Sequence, residues 1–445
     1  MIIIAEALRR EVKSLPGGNQ ESGNKLQLMK TKTNAWTILK AILAVNLALL
    51  FLLFQSCGKR TTDSQAPGPG GVTVNSMPII VQYDQPSSTL SQDDLLEIAT
   101  RYKAVSDNET CFSGGQRAKL RGIDPEIKLF RYLNSAAVYK DRNIEEVLSQ
   151  RPDWVLRDEF GEPLSSRLHE TGIMMDPAST GWRGYLVDKA CQACAQKGYD
   201  GILLDEVLMV NELDPDFEGI NKRTGQPYTT QEYRDDQYQT VRAMKDTIGA
   251  EKLLMLNNVK RGSGYFEEQP HRFLEASDGV VAEGFRGPAA WPLNRCLPED
   301  EWVQNVEMMR DLETREKFIV VVTKVAKEVA GNQAQLREHD LFMYTTFLLG
   351  MGEFSYYTSG VKDEADSLGE NRLYYDYWQI DVGQPLSSYE KSGSHYHREF
   401  QNARVLVNPT DSPTTVDLGT QLTTPDGKTI SEVTLDPHTG TILLK

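Results

Sequence analysis

The chain has 445 residues, of which 40% are hydrophobic, and its formal net charge at neutral pH is −15. This length suits one large domain with a smaller one, and the apolar content is sufficient for a substantial core. The negative charge argues against a nucleic-acid partner, because phosphate binding requires a basic surface, and it favours a neutral or basic ligand.

The N-terminal region is typical of a targeting signal. Residues 29–57 begin with lysines, continue through an apolar run from Ala41 to Phe54 and end at Ser56-Cys57-Gly58. The run is shorter than the roughly 20 residues of a spanning helix, so it predicts a signal peptide; an uncleaved membrane anchor is the alternative. The cut site resembles a bacterial lipobox, which implies lipidation of Cys57. We therefore expect an exported protein that contacts the membrane only through this lipid anchor.

Two further N-terminal segments are not expected to belong to the folded domains. Residues 1–28 are interpreted as an upstream extension or as the result of an incorrectly assigned start codon. Residues 58–76 are rich in Pro, Gly, Ser and Thr, which predicts a flexible tether.

From residue 77 to residue 394, apolar strand-like segments alternate with amphipathic helical patterns. The predicted strands are 78–84, 127–134, 153–159, 201–207, 253–259, 279–285, 318–325 and 354–359, with 101–108 as an alternative first strand. Helices are predicted within 91–105, 181–198 and 230–249. This rhythm predicts an α/β fold of the (β/α)8 TIM-barrel type. A doubly wound sheet fits the alternation too, but no G-x-G-x-x-G motif follows an early strand.

Residues 395–445 show a different pattern. Short runs alternate apolar and polar residues and are separated by turn sequences, which predicts a small antiparallel, β-sandwich-like domain packed against the barrel.

The cysteines give no clear metal or redox signal. Cys191 and Cys194 have the C-x-x-C spacing, but they lie inside a helical pattern and no second pair completes a zinc set. We expect them to pack on a helix face. The sequence does not decide whether a disulfide forms among Cys111, Cys191, Cys194 and Cys296. We expect no metal and no cofactor.

Several predicted strands end in polar residues. The apolar run before Asp205 and Glu206 predicts a buried strand whose acids emerge at its C-terminal end, where TIM barrels carry their active sites. The other polar residues at strand ends are Tyr132, Asn134, Asn257, Glu283 and Lys324. We expect these side chains to converge on one mouth.

Two of these acids suit glycoside hydrolysis, which uses a pair of carboxyl groups. We predict Asp205 and Glu283 as the catalytic pair, because alternate barrel strands contribute to the same layer. Three alternatives are open: Glu206 replaces Asp205, Asp205 caps the next helix, or Glu283 pairs structurally with Arg286.

The remaining polar residues are predicted to line the sugar site. They are Tyr132, Asn134, Arg157, Asp176, Glu206, Asn257, Lys324 and Tyr356.

A family resemblance supports this interpretation. Residues 175–207, MDPASTGWRGYLVDKACQACAQKGYDGILLDEV, resemble the signature of TIM-barrel glycoside-hydrolase-like proteins. The segment SDGVVAEGF and the C-terminal region are similar to glycosyl-hydrolase-like family 15. The resemblance implies a catalytic aspartate at Asp205 and a later acid at Glu283. The arrangement also resembles the alpha-galactosidase clan, in which the acid on the fourth strand is the nucleophile. LLDEV differs from the LDD or LDN variants, which leaves the role of Glu206 open.

The sequence thus predicts a monomeric glycoside hydrolase with a carbohydrate substrate. Two alternatives remain, a non-catalytic glycan-binding lipoprotein and a metal-dependent hydrolase.

Overall fold

The computed structural model describes residues 79–81, 90–107, 112–139, 144–166, 172–209, 213, 216–362, 365–366, 369–370 and 373–445. The predicted extension, signal peptide, lipidation site and tether lie outside these residues, as does Cys111. None of the helices in the described ranges is both long and apolar enough to cross a membrane.

Eight parallel strands form one sheet and pair in chain order. They are β1 (Ile79–Val81), β2 (Ala104–Asp107), β3 (Lys128–Asn134), β4 (Gly201–Asp205), β5 (Leu253–Val259), β6 (Gly279–Ala282), β7 (Phe318–Ala326) and β8 (Ser355–Lys362). The last strand contacts the first, so the sheet closes on itself. The predicted (β/α)8 barrel is confirmed.

Helices follow the strands on the outside of the barrel. They are α1 (Gln92–Arg101), α2 (Gly114–Ile123), α3 (Ile144–Gln150), α4 (Thr180–Gln196), α5 (Thr230–Ile248), α6 (Gly262–Glu268), α7 (His271–Glu275), α8 (Glu299–Thr314) and α9 (Gln333–Gly350). Capping boxes start α1, α2, α5 and α9, with Ser91, Ser113, Thr229 and Asn332 as the N-caps. These boxes satisfy amide groups that have no partner inside the helix.

The strands separate two apolar layers because successive side chains point to opposite faces. The inner layer fills the barrel with residues from six strands, namely Ala104, Phe130, Leu203, Met255, Val281, Val320 and Val322. The other face packs against the helices and forms the larger core. Cys194 belongs to this outer core, and Cys191, Cys194 and Cys296 are free thiols. The predicted packing on a helix face is confirmed for Cys194, whereas Cys191 is half-buried on the same helix.

The predicted strand at 153–159 is not a barrel strand, and this prediction was wrong. Pro152–Trp154 is a 3-10 helix, and Val155 and Arg157 form only isolated bridges. These residues belong to an excursion between β3 and α4, in which Ala137–Tyr139 pairs with Gly172–Met174. Both candidate first strands are barrel strands instead, so Asp205 still lies on the fourth strand and Glu283 still follows the sixth.

A six-stranded antiparallel sheet follows the barrel. Its strands are β9 (Glu390–Ser392), β10 (His395–Glu399), β11 (Ala403–Asn408), β12 (Thr414–Thr423), β13 (Thr429–Leu435) and β14 (Thr439–Leu444), in the order β9-β10-β11-β14-β12-β13. The sheet therefore begins a few residues before the predicted boundary at 395.

Helix α9 joins this sheet to the barrel. It packs against β11 and β14 so closely that a Cβ atom on Gly440 would lie 1.9 Å from Thr345 Oγ1. Arg398 of β10 donates hydrogen bonds to the carbonyl groups at the end of α9, those of Leu348, Leu349 and Met351, at 2.7–3.1 Å. The sheet thus caps the C-terminal end of a barrel helix.

A buried carboxyl group fixes the other side of α9. Asp340 accepts hydrogen bonds from the Tyr357 and Tyr377 hydroxyl groups at 2.8 and 2.6 Å and from the Trp378 indole at 3.0 Å. Burial raises the pKa of Asp340. The group connects α9 to β8 and to the 3-10 helix Asp376–Gln379.

Candidate active site

The carboxyl group of Asp205 lies at the C-terminal end of β4 and accepts three hydrogen bonds. Tyr132 on β3 donates its hydroxyl proton to Oδ2 at 2.5 Å. Asn257 on β5 donates from Nδ2 to Oδ1 at 2.7 Å, and the backbone N–H of Glu206 donates to Oδ1 at 2.8 Å. Neighbouring strands on both sides therefore fix the orientation of Asp205.

Strands β4 and β6 start with the same Asp-Gly anchor. Asp200 Oδ2 accepts from Leu129 N on β3 at 2.8 Å, and Asp278 Oδ2 accepts from Leu254 N on β5 at 2.7 Å. A glycine follows each aspartate because a side chain there would collide with the next strand. A Cβ atom on Gly201 would lie only 2.2 Å from the Leu253 carbonyl oxygen of β5, and one on Gly279 would lie 2.3 Å from the Phe318 carbonyl oxygen of β7.

The two anchors place the two predicted catalytic acids at equivalent positions. Asp205 and Glu283 each lie five residues after the anchoring aspartate. Each also lies two residues after an inner-layer residue, Leu203 or Val281, and so faces the same side of its strand. Both side chains therefore point to the inside of the barrel at its C-terminal end.

Glu283 forms an ion pair with Lys324 of β7. The Lys324 Nζ atom lies 3.0 Å from Glu283 Oε1, and the two side chains are 22% and 35% exposed. Arg286 points elsewhere: its Nε donates to His339 Nε2 at 2.8 Å, and its other nitrogens donate to four loop carbonyls. The alternative pairing of Glu283 with Arg286 is excluded.

The backbone turns sharply at Glu206, whose φ of +56° lies in the left-handed region that residues other than glycine rarely adopt. Its carbonyl oxygen accepts from Ser135 Oγ and from Gln237 Nε2, both at 3.0 Å. The next amide, that of Val207, donates to the Asn257 carbonyl at 3.1 Å. Such strain persists where surrounding contacts over-determine the conformation. Helix α5 is capped by Thr229, so Asp205 does not cap it.

The Glu206 carboxyl group has a hydroxyl partner. Tyr139 donates to Glu206 Oε1 at 3.0 Å, and Asn134 Nδ2 donates to the Tyr139 oxygen at 3.2 Å. Burial and the neighbouring Asp205 raise the pKa of Glu206 to about 7. Burial and the like charge of Glu283 also raise the pKa of Asp205. The mouth thus carries three carboxyl groups near one ammonium group.

Among the residues predicted to bind sugar, Tyr132, Asn134, Glu206, Asn257 and Lys324 lie together around the predicted pair. Asn134 also accepts from two following backbone amides through Oδ1. The structure therefore brings together most of the predicted site.

Three predicted residues lie elsewhere. Arg157 is in the excursion and donates to the Gly161 carbonyl at 2.8 Å. Asp176 is only 1% exposed, and it accepts from the Tyr228 hydroxyl group at 2.8 Å and pairs with Lys222 at 3.2 Å. Both residues stabilise the connection between β3 and β4.

Tyr356 lies inside the barrel and stacks on Phe318, with ring centroids 6.0 Å apart. Burial raises its pKa. Its neighbour Tyr357 points outward to Asp340. Tyr356 therefore packs in the inner layer and contacts neither Asp205 nor Glu283 through any hydrogen bond in the described part of the chain.

Tyr139 is a site residue that was not predicted from the sequence. This residue follows the end of β3 by five positions and reaches Glu206 only because the excursion folds back over the barrel end. Its neighbourhood AAVYKD has no strand or helix periodicity, so the sequence carried no signal for it.

Within the described ranges, no group of three or more His, Cys, Asp or Glu side chains is arranged to hold a metal ion. The chemistry available to the three carboxyl groups is proton transfer, nucleophilic attack and hydrogen bonding to hydroxyl groups.

The sequence model of the hypothetical glycosyl hydrolase family 15 matches residues 121–404. The chain belongs to this family. Its matched region contains the barrel from the end of α2 onward, with Asp205, Glu206, Glu283 and Lys324. A search of curated protein sequences found no match.

Solved structures resemble this family member in fold. The noncanonic maltogenic alpha-amylase AmyB from Thermotoga neapolitana is 12% identical, with a TM-score of 0.50 over 84% of this chain and 99% of that chain. The glycoside hydrolase domain of PelA from Pseudomonas aeruginosa is 15% identical, with a TM-score of 0.42 over 67% of this chain and 99% of that chain. The similarity to the amylase supports the barrel fold of the hypothetical glycosyl hydrolase family 15 member.

Proposed function

We propose that this protein is a glycoside hydrolase that uses Asp205 and Glu283 as its carboxyl pair. The observation that carries this proposal is the repeated Asp-Gly anchor, which sets both acids at equivalent inward positions on β4 and β6. Glycoside hydrolysis requires two carboxyl groups on either side of the scissile bond. Membership of a glycosyl hydrolase family supports the same chemistry.

Asp205 acts as the nucleophile or the base. Three donors converge on its oxygens, and hydrogen bonds of this kind stabilise the carboxylate that must attack the anomeric carbon or accept a proton from water. Tyr132 and Asn257 come from the two flanking strands, so the carboxylate needs little reorganisation during the reaction.

Glu283 acts as the general acid. In its protonated form it transfers its proton to the glycosidic oxygen as the bond between that oxygen and the anomeric carbon breaks. The ion pair with Lys324 is the ionised state that this transfer leaves. The ammonium group of Lys324, 3.0 Å away, then stabilises the carboxylate that remains on Glu283.

The charge of the site favours neutral or amino sugars. Three carboxyl groups lie at the mouth, whereas Lys324 is already paired with Glu283. A uronic acid would place a further carboxylate beside Asp205, which reacts as a carboxylate, and would be repelled. We therefore expect activity on neutral or amino polysaccharides rather than on polyuronides.

Release of reducing ends by the purified full-length chain in detergent tests the proposal. The panel contains starch, xylan, galactan and chitosan, with polygalacturonate as the anionic comparison. Asp205→Asn and Glu283→Gln keep the shape of each side chain, and each should lower the rate about 100-fold or more. Glu432→Gln, on the exposed face of β13, should have wild-type activity.

Reducing-end release that persists in both acid variants would refute the assignment of the pair. Binding of a glycan without any release would favour the other interpretation, a glycan-binding lipoprotein without catalytic activity.

We also propose that the chain is exported and lipidated at Cys57, because residues 29–57 have the layout of a lipoprotein signal peptide. Incorporation of labelled palmitate in a bacterial host, lost in Cys57→Ala, is the expected result. Incorporation that is the same in both chains would contradict it.

A further inference from the structure

The geometry around Glu206 points to a third working carboxyl group. We propose that Glu206 binds the substrate as a neutral carboxylic acid and donates a hydrogen bond from Oε2 to a sugar hydroxyl. This proposal rests on the proposed function in that the ligand is a glycan, but it assigns Glu206 to substrate positioning rather than to proton transfer.

The turn at Glu206 determines where its side chain points. In a regular strand, Glu206 would point away from Asp205 into the outer core. The left-handed backbone interrupts this alternation, and the side chain meets Tyr139 of the excursion instead. Ser135 and Gln237 bind the Glu206 carbonyl oxygen and stabilise this conformation. Strain of this kind concentrates at functional sites.

The hydrogen bonds around the carboxyl group assign its proton to one oxygen. Asn134 donates to the Tyr139 oxygen, and Tyr139 donates its own proton to Glu206 Oε1. Oε1 is therefore an acceptor, and a proton on the acid belongs on Oε2. A neutral acid can donate this proton to a sugar hydroxyl, whereas a carboxylate can only accept.

The charges that face Glu206 favour its neutral form. The titratable groups that interact with it are Asp205, Glu283, Tyr132, Tyr139 and Tyr233, and the same mouth also contains Lys324 beside Glu283. Two of these are carboxyl groups, and the lysine is paired with Glu283. In the described part of the chain, no lysine or arginine forms an ion pair with Glu206. Burial and like charge act in the same direction and raise its pKa to about 7, against the opposing effect of hydrogen bonding with Tyr139 and Asn134.

Affinity electrophoresis of the full-length chain in detergent tests this role. Native gels contain starch, xylan, galactan or chitosan and are run at about pH 6 and about pH 8. Because about one-tenth of Glu206 is neutral at the higher pH, the wild type should bind about tenfold more weakly there. The method measures binding and needs no turnover.

Two variants separate the proton from the backbone. Glu206→Gln keeps a donor and does not titrate, so it should bind equally at both pH values and about as well as the wild type does at the lower one. Glu206→Gly suits the positive φ and removes the donor, so it should fold but bind weakly at both pH values. Circular dichroism confirms folding of each variant.

Wild-type binding that does not change with pH would overturn the proposal. Loss of binding in a folded Glu206→Gln chain would also overturn it, since the carboxylate would then be required. Absence of retardation in every gel would overturn this proposal and count against the glycan as ligand. If the expected binding pattern occurs without any hydrolysis, only the proposed catalytic function fails.

Discussion

The pKa of Glu206 has a consequence for folding that can be measured without any substrate. In the folded chain this pKa is about 7, against an ordinary value of 4.5. Between these pH values the folded chain keeps a proton that the unfolded chain has lost. The contribution of Glu206 to the free energy of unfolding is therefore greatest below about pH 4.5, decreases as the pH rises, and is constant above about pH 7.

The size of this effect follows from the two pKa values. One pH unit corresponds to about 1.4 kcal/mol, so the interval from 4.5 to about 7 is worth at most about 3.5 kcal/mol. Solvent at the half-buried mouth reduces this value. Glu206→Gln has no such contribution. The stability of the wild type relative to this variant should therefore fall by about 1–3 kcal/mol between about pH 5 and about pH 8.

Urea unfolding followed by tryptophan fluorescence at a series of pH values measures this difference. Subtracting the variant from the wild type cancels the titrating groups that do not interact with Glu206. Asp205 does interact with it, so the difference reports Glu206 together with its effect on Asp205. Glu432→Gln, at an exposed position, should give a difference that does not vary with pH. A flat difference for Glu206→Gln as well would show that burial and like charge do not act on this group as argued.

Three further substitutions have defined outcomes. Tyr132→Phe removes a donor to Asp205, so kcat/KM on the released glycan should fall about 10- to 100-fold with an unchanged urea midpoint; wild-type kinetics would contradict the role of this donor. Lys324→Met removes the partner of Glu283 and should lower kcat about tenfold or more, whereas a change in KM alone would indicate a sugar contact. Asp340→Ala leaves two tyrosine hydroxyl groups and an indole without their buried acceptor, so it should destabilise the chain by about 3 kcal/mol; an unchanged urea midpoint would refute this.

The barrel and most of its mouth were predictable because their signals are local. Apolar runs that end in polar residues identify parallel strands and the direction in which they run. This rule placed Tyr132, Asp205, Asn257, Glu283 and Lys324 at one end of the barrel, where the structure has them. Asp205 was placed on the correct strand because two errors in the count cancelled. The predicted strand at 153–159 is not in the barrel, and the segment 101–108, treated only as an alternative first strand, contains β2.

The excursion between β3 and α4 was not predictable in the same way. WVLRDE alternates like a strand, yet its residues form isolated bridges in a long connection, and this placed Arg157 incorrectly in the barrel. Asp176 follows a similar short segment and is buried against Tyr228. Tyr139 reaches Glu206 because Ala137–Tyr139 pairs with Gly172–Met174. The periodicity of apolar residues does not predict which short segments of a connection pair with each other.

The contact of the C-terminal sheet with α9 affects how this protein can be recombined with its relatives. Arg398 satisfies carbonyl groups at the end of α9, and Gly440 leaves space for Thr345. A chimaera that joins this barrel to another C-terminal sheet would lose the arginine cap and introduce a steric clash wherever the glycine differs. Crossovers before residue 333, which keep α9 with its own sheet, should therefore give more folded chimaeras than crossovers between the barrel and the sheet.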